Sequence, residues 1–456
     1  MADRLPDVRE TFEPGFQRRC AVTRRNRCRL WGIFLVLVAV VAAPSEGRGW
    51  RWDRDADFST VVFVGDSLTA GFQNGGLSVE GQTHGYAALI AQQAGFDIAL
   101  PLVSEPGIPP KLLLESLDPL VVAPADGPGV RLNPREQATN LAVPGHTVAD
   151  ALSKRATDDV LTFVVLGEPG ISEGKALTQV EWAEELGPTF VFLWIGSNDF
   201  LGYAISGGTR PLTDVKAFAS HFRDLLGRLE ATGAGLVVAN IPEVTAIPFL
   251  IEAGKLAGRF DQDLTAIGPI LGIRDGDYVT LDGVAAAEKM LLGLEPGPLP
   301  DAMVLDAAEA RRARRAVDRA NRFIERQARR RNFPVVDVHL LFRYLSYFGV
   351  PLDGKLLTTG YLGGLFSLDG IHPTRTGHAL LANHFIRTLN RRYRAGIPRI
   401  RIGPIAESDP LVIPELLPDT REVLKNLLRG VKGDSVRPLR DVLEGRFGMG
   451  WRRPTD

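Results

Sequence analysis

Five short stretches of the chain are mostly apolar and rich in β-branched or aromatic residues: 60–64 (TVVFV), 137–143 (QATNLAV), 189–195 (TFVFLWI), 235–240 (GLVVAN) and 334–338 (PVVDV). Runs of this length without strict alternation read as strands buried on both faces. Between them the apolar spacing changes to three and four. In 214–231 the positions Val215, Phe218, Phe222, Leu225, Leu226 and Leu229 mark one buried helical face. Residues 86–94, 148–155, 305–331 and 376–391 read as further helices. Strand and helix in alternation predict a parallel sheet covered on both sides, with functional groups beyond the carboxyl ends of its strands.

Two stretches break the rhythm. Residues 97–135 are Pro-rich with apolar patches, and 243–303 mix short helical pieces with Gly/Pro turns. Both are too long for plain connections and read as excursions that wall or cover a site. Past residue 400 the pattern turns irregular, so 401–456 reads as a tail, packed or partly loose, with one helix at 420–428. The segment 305–331 holds ten arginines between Arg311 and Arg331. Ala313, Val317, Ala320, Ile324 and Ala328 form its apolar stripe and acids interleave with the arginines, so a solvated helix face is favoured over a nucleic-acid or headgroup surface.

The 456 residues carry a formal charge of −1, which argues against a phosphate-neutralising partner surface. The total hides an asymmetric start. Residues 1–45 contain eight arginines and four acids, and the arginines stop at Arg29 before an unbroken apolar run at 30–43 (LWGIFLVLVAVVAA). Fourteen residues suit a signal-peptide core better than a span, which needs about 20. Residues 1–45 therefore read as an export signal, with an uncleaved N-terminal membrane anchor as the alternative. The main domain occupies 46–400. Both cysteines, Cys20 and Cys28, lie in the leader, so the remainder can form neither an internal disulfide nor a thiolate metal site.

Four motifs carry chemistry. The first strand runs into Gly65-Asp66-Ser67-Leu68. A serine there, on a tight turn entering a helix, aims its hydroxyl at the crevice and keeps its own N–H free. Asp369-Gly370-Ile371-His372-Pro373 puts an acid three residues from an imidazole, close enough to fix the tautomer and leave the outer nitrogen as a base. Gly196-Ser197-Asn198-Asp199 ends the third strand, where the Asn198 amide can donate to a developing oxyanion. Asn140–Thr147 (NLAVPGHT) ends the second strand and offers the uncovered N–H of Gly145. Taken singly, each also reads as a helix cap or an ordinary turn, and for Ser67 its position at the end of the first strand decides for function. Asp66 reads as a structural turn ligand, and His146 as a weaker rival base.

Together the four blocks resemble the GDSL or SGNH hydrolase family, which they match as GDSLTAGF, NLAVPGHT, GSND and DGIHP over roughly 58–392. The resemblance implies a three-layer α/β/α sandwich of flavodoxin-like type with a five-stranded parallel sheet. It implies no metal, no cofactor and hydrolysis of carboxylic esters. It assigns Ser67 as nucleophile, His372 as general base and acid, and Asp369 as the orienting carboxylate. Ser67 N–H, Gly145 N–H and the Asn198 side chain become the oxyanion donors. Asn240-Ile241-Pro242 and Gly363–Ser367 (GGLFS) resemble lipase and acylhydrolase-like members.

Leu68, Phe200, Leu201, Phe366 and Ile371, with Tyr203, flank these positions and read as an apolar acyl pocket. The expected enzyme is an exported esterase or lipase on lipid-like or short-to-medium acyl esters. It meets small-molecule or lipid substrates, no nucleic acid, and a membrane only through the N-terminal segment. A carbohydrate O-acetylesterase, a thioesterase, and a catalytically silent envelope binding protein are the competing readings.

Overall fold

The computed structural model describes residues 56–167 and 176–420. The leader at 1–45 and the part of the predicted tail helix beyond Thr420 lie outside the described residues. The chain begins with β1 (Val61–Gly65), α1 (Ser67–Ala70), α2 (Tyr86–Ala94), α3 (Val148–Ser153) and α4 (Gln179–Glu185). It continues through β2 (Phe190–Trp194), α5 (Asn198–Ile205), α6 (Val215–Ala231) and β3 (Gly235–Ala239). The last major elements are α7 (Ala307–Arg330), β4 (Val335–Val336), α8 (Val338–Phe348) and α9 (Arg375–Tyr393).

The central sheet has the order β1-β2-β3-β4, all parallel, with Gly65 opposite Trp194 and Val238 opposite Val335. Every residue of β1 and β2 is buried, as expected for strands covered on both faces. Phe63, Phe190, Phe192 and Trp194 point to one face by the two-residue period of strands. There they meet Tyr86 of α2 and Phe385 and Tyr393 of α9, with Phe63 and Phe192 stacked at 4.4 Å. Helices α3, α4, α6 and α7 pack with one another as the second helical layer. The five fully buried apolar side chains of α6 contribute about 1.5–3 kcal/mol each by transfer from water.

The expected fifth strand at 137–143 is not formed. The segment runs parallel to the free edge of β1, with Phe63 N–H donating to Thr139 O, Leu141 N–H to Phe63 O and Val143 N–H to Gly65 O, but it makes a single bridge at Asn140. The next bridge would need Gly65 N–H to donate to Leu141 O, and that hydrogen goes to Gln179 Oε1 at 3.2 Å instead. Asn140 Oδ1 accepts from Ala142 N–H at 3.2 Å, a donor that takes no part in the pairing with β1. Asn140 Nδ2 then donates to Thr69 O at 2.9 Å and ties the segment to α1. From β1 the chain therefore visits one side of the sheet and returns to the other, which makes the carboxyl end of β1 the switch point where α/β sheets hold ligands.

Both excursions have structure of their own. Residues 97–135 contain an antiparallel hairpin, Leu112–Leu117 with Leu120–Pro124. Residues 243–303 supply two of the three strands of an antiparallel sheet, Leu250–Glu252 and Tyr278–Thr280, completed by Val304–Leu305. The helices Ala253–Arg259, Leu264–Leu271 and Leu281–Leu291 cover a separate small core around Leu256, Ile267, Leu271, Val279 and Met290. Within the described part of the tail, Asp409 accepts from Thr376 N–H and Oγ1–H, both at 2.8 Å, so residues 402–409 are pinned to α9. In α7 the buried positions include Ala313, Val317, Ala320, Ile324 and Ala328, and most arginines point outward.

Candidate active site

Gly65 ends β1 where a side chain has no room: a Cβ would lie 2.3 Å from Thr69 Oγ1 and 2.6 Å from Trp194 O. The chain can therefore turn straight into α1. Asp66 caps that helix, its Oδ1 accepting Leu68 N–H at 3.1 Å, which leaves Ser67 as the first helical residue. Ser67 N–H is one of the unpaired donors of a helix start and makes no hydrogen bond among the described residues. Burial pushes the Asp66 carboxyl up to about 6, against the opposing pull of Leu68 N–H and the His372 ring.

His372 Nε2 lies 2.8 Å from Ser67 Oγ, and His372 Nδ1 lies 2.9 Å from Asp369 Oδ2. A carboxylate only accepts, so Nδ1 carries the proton and Nε2 is left to accept from the serine hydroxyl. Asp369 is held from all sides. Oδ1 accepts Ile371 N–H at 2.8 Å and His372 N–H at 2.9 Å, and Oδ2 also accepts Gly75 N–H at 2.7 Å. Burial alone would raise this carboxyl, but the His372 ring and the N–H donors outweigh it and hold it below the ordinary carboxylate value. Gly370 makes the turn at φ +69°, with Phe249 and Leu281 of the second excursion packed where a Cβ would stand. Asn74 braces the same loop, its N–H donating to Ser367 Oγ and its Oδ1 accepting Leu368 N–H.

Gly145 sits in a turn closed by His146 N–H to Val143 O at 3.2 Å, with Pro144 first and Gly145 second at φ +85°. That is the chemistry of a type II turn, and Gly145 N–H takes no part in its hydrogen bond. The next residue's carbonyl, His146 O, accepts Asn198 Nδ2 at 3.0 Å, so the turn and the amide are fixed against each other. The His146 ring is not available as a base. Gln179 Nε2 donates to its Nδ1 at 2.9 Å, and its Nε2 faces Thr162 Oγ1 at 2.8 Å. Desolvation lowers it to about 4, so it is neutral at physiological pH. Gln179 Oε1 accepts Gly65 N–H at 3.2 Å and so links the nucleophile's strand to the Gly145 turn. Asp199, next to Asn198, accepts Val148 N–H at 3.0 Å and is pushed by burial up to about 7.

Ser67, Asn198 and His372 line one cavity of about 30 Å³. Of the expected acyl-pocket residues, Leu68, Leu201 and Ile371 line it. Phe200 and Phe366 do not: Phe200 is fully buried against Phe218 with ring centroids 5.4 Å apart, and Phe366 is buried against Phe342 at 5.7 Å. Tyr203 is turned toward Arg312 of α7. Pro242, Glu243, Val244, Ile247 and Phe342 complete the wall, and sequence reasoning missed all five. Pro242 had a signal as the last residue of Asn240-Ile241-Pro242 after β3, and Glu243, Val244 and Ile247 had one as the start of the 243–303 excursion expected to wall a site; Phe342 had none. Among the described residues no group of three His, Cys, Asp or Glu side chains could hold a metal ion.

At the switch point of the parallel sheet a buried serine, a buried histidine and a partly buried carboxylate stand in one hydrogen-bonded line, an arrangement able to activate the serine hydroxyl. The chain belongs to the GDSL-like lipase/acylhydrolase family, whose model matches residues 61–385, and it is a carboxylic ester hydrolase of that type. No curated protein matches it. Among solved structures it is similar to a variant of Axe2, an acetyl xylan esterase from Geobacillus stearothermophilus, at 17% identity and TM-score 0.35 over 76% of this chain and 99% of that one. It is similar to TesA at 13% identity and TM-score 0.32, covering 73% and 99% of the two chains. It is also similar to LAE5, an alpha/beta hydrolase from the metagenome of Lake Arreo, Spain, at 18% identity and TM-score 0.34, covering 74% and 97%.

Proposed function

We propose that the protein hydrolyses esters of short acyl groups by a serine mechanism. Ser67 Oγ attacks the ester carbonyl while His372 Nε2 takes its proton, and Asp369 stabilises the imidazolium that forms. The 2.8 Å approach of His372 Nε2 to Ser67 Oγ is the observation that carries this reading. The tetrahedral oxyanion is held by Ser67 N–H, Gly145 N–H and the second hydrogen of Asn198 Nδ2, the first being engaged by His146 O. Collapse expels the alcohol, which leaves with the proton from His372. Water, activated by the same nitrogen, then frees the acid.

The narrow apolar cavity at Ser67 supports a small acyl group over a long chain. Fluorophosphonate labelling with the modified peptide identified by mass tests the nucleophile, and label on any residue other than Ser67 rejects it. A p-nitrophenyl ester series tests the acyl length, with acetate to butyrate expected to outrun laurate. The basic leader and apolar run at 30–43 support export, which the N-terminus of the protein recovered from its native cells tests: cleavage near residue 45 is expected.

A further inference from the structure

The cavity at Ser67 adjoins a much larger one. Glu243 and Ile247 line both, and the second cleft has a volume of about 590 Å³, within the range of small-molecule sites. Its walls come from the 243–303 excursion, α7, α8 and the loop that leads into the Asp369 turn.

Parts of these walls are already set. Arg314 of α7 donates from Nε to Thr245 Oγ1 at 3.0 Å and from Nη2 to Tyr278 OH at 2.5 Å, with its guanidinium 5.4 Å from the Tyr278 ring centroid. On a helix whose arginines mostly face solvent, this one is fastened to the excursion. Tyr361 donates its hydroxyl to Leu368 O at 2.9 Å, which brings its ring beside the Asp369 turn.

The chemistry of the lining narrows the occupant. Four cations, Lys255, Arg259, Arg314 and Arg343, share the cleft with three carboxylates, Glu243, Glu252 and Asp318. Charges this evenly mixed give little net attraction for an anionic headgroup. An alkyl chain would leave the many donors and acceptors unpaired. Tyr278, Tyr347 and Tyr361 add flat faces with polar edges. A neutral molecule with several hydroxyls satisfies both kinds of surface.

We propose that this cleft holds the alcohol half of the ester, and that the alcohol is a sugar or short oligosaccharide carrying a small acyl group. The proposal rests on Ser67 being the esterase nucleophile. In the acyl-transfer step the Ser67 Oγ–acyl bond forms, the acyl–sugar oxygen bond breaks, and the sugar hydroxyl departs into the cleft with the proton that His372 took from Ser67.

Full-length protein is assayed on acetylated cellobiose, dioctanoyl phosphatidylglycerol and p-nitrophenyl acetate. Arg343→Ala and Tyr347→Ala, both at exposed positions, are each expected to lower the ratio of kcat/KM for acetylated cellobiose over p-nitrophenyl acetate by about tenfold, through KM. In the Ser67→Ala background, calorimetric titration with acetylated cellobiose is expected to weaken by the same factor on adding Arg343→Ala, a readout independent of turnover. An unmoved ratio with p-nitrophenyl acetate still hydrolysed overturns the sugar site, as does a preference for the phospholipid. No turnover of any ester and no labelling of Ser67 overturns the serine mechanism instead.

Discussion

His372 Nε2 stands 2.8 Å from Ser67 Oγ although 305 residues separate the two in the chain. The proximity comes from the β1–α1 turn on one side and the Asp369–His372 turn ahead of α9 on the other, each set by hydrogen bonds of its own. Removing the hydroxyl should therefore leave the scaffold intact. Ser67→Ala is expected to lower kcat on p-nitrophenyl acetate by about 10⁵-fold or more. Its melting temperature should stay close to that of the parent, and thermal melts beside steady-state kinetics check both halves.

Asp369→Asn should cost stability as well as rate. Oδ2 accepts from His372 Nδ1 and Gly75 N–H, and Oδ1 accepts from two further backbone N–H groups. An asparagine amide in either orientation turns an NH₂ toward two donors. The expected loss is about 1–3 kcal/mol of stability from unsatisfied groups, together with a fall in kcat of about 10⁴-fold as the imidazole tautomer is lost. Urea titration and kinetics of the same variant measure the two effects. Loss of rate with stability unchanged would refute the four-donor account of this carboxylate.

Asn198→Ala removes a donor whose other hydrogen is already spent on His146 O. Loss of one oxyanion donor is expected to lower kcat by about 10²–10³-fold, with KM changed little. A rise in KM at constant kcat would place Asn198 in ground-state binding instead.

Gln179→Leu tests the bridge between β1 and the Gly145 turn. Its amide joins Gly65 N–H to His146 Nδ1, so the variant leaves both groups without their buried partners. The expected result is a drop of about 1–3 kcal/mol in unfolding free energy and a lower kcat. Gln179→Glu should recover part of the stability by accepting from Gly65 N–H. Equal kcat in the parent and Gln179→Leu would separate this bridge from catalysis.

The four motifs were legible because each is local: a few residues at a strand end or ahead of a helix, with chemistry that needs no partner to be recognised. The partners were not. Gly75 N–H reaches Asp369 across 294 positions, and Gln179 reaches Gly65 across 114, through residue types that carry no local signal. Adjacency in sequence also misled. Leu201 lies three residues after Asn198, on the same side of α5, and shares its cavity. Phe200, one position earlier, is turned about a third of the way round the helix and packs on Phe218. The edge strand was read from its apolar content, and Gln179, distant in sequence, takes the Gly65 N–H that its next bridge to β1 needs.

Asp199 gives the protein a pH dependence separable from its chemistry. Burial raises its carboxyl from 3.8 to about 7, so the folded state binds more protons than the unfolded chain between those values. Stability from this group is present below about pH 4 and is lost as the pH rises toward 7, on the order of a few kcal/mol in all. Asp199→Asn keeps an oxygen for Val148 N–H and removes the titration. The variant should match the parent near pH 4 and exceed it in melting temperature at pH 8. Scanning calorimetry across pH 4–8 checks the sign: a parent that gains on the variant as the pH rises would mean that Asp199 is ionised in the folded state with a partner that stabilises its charge.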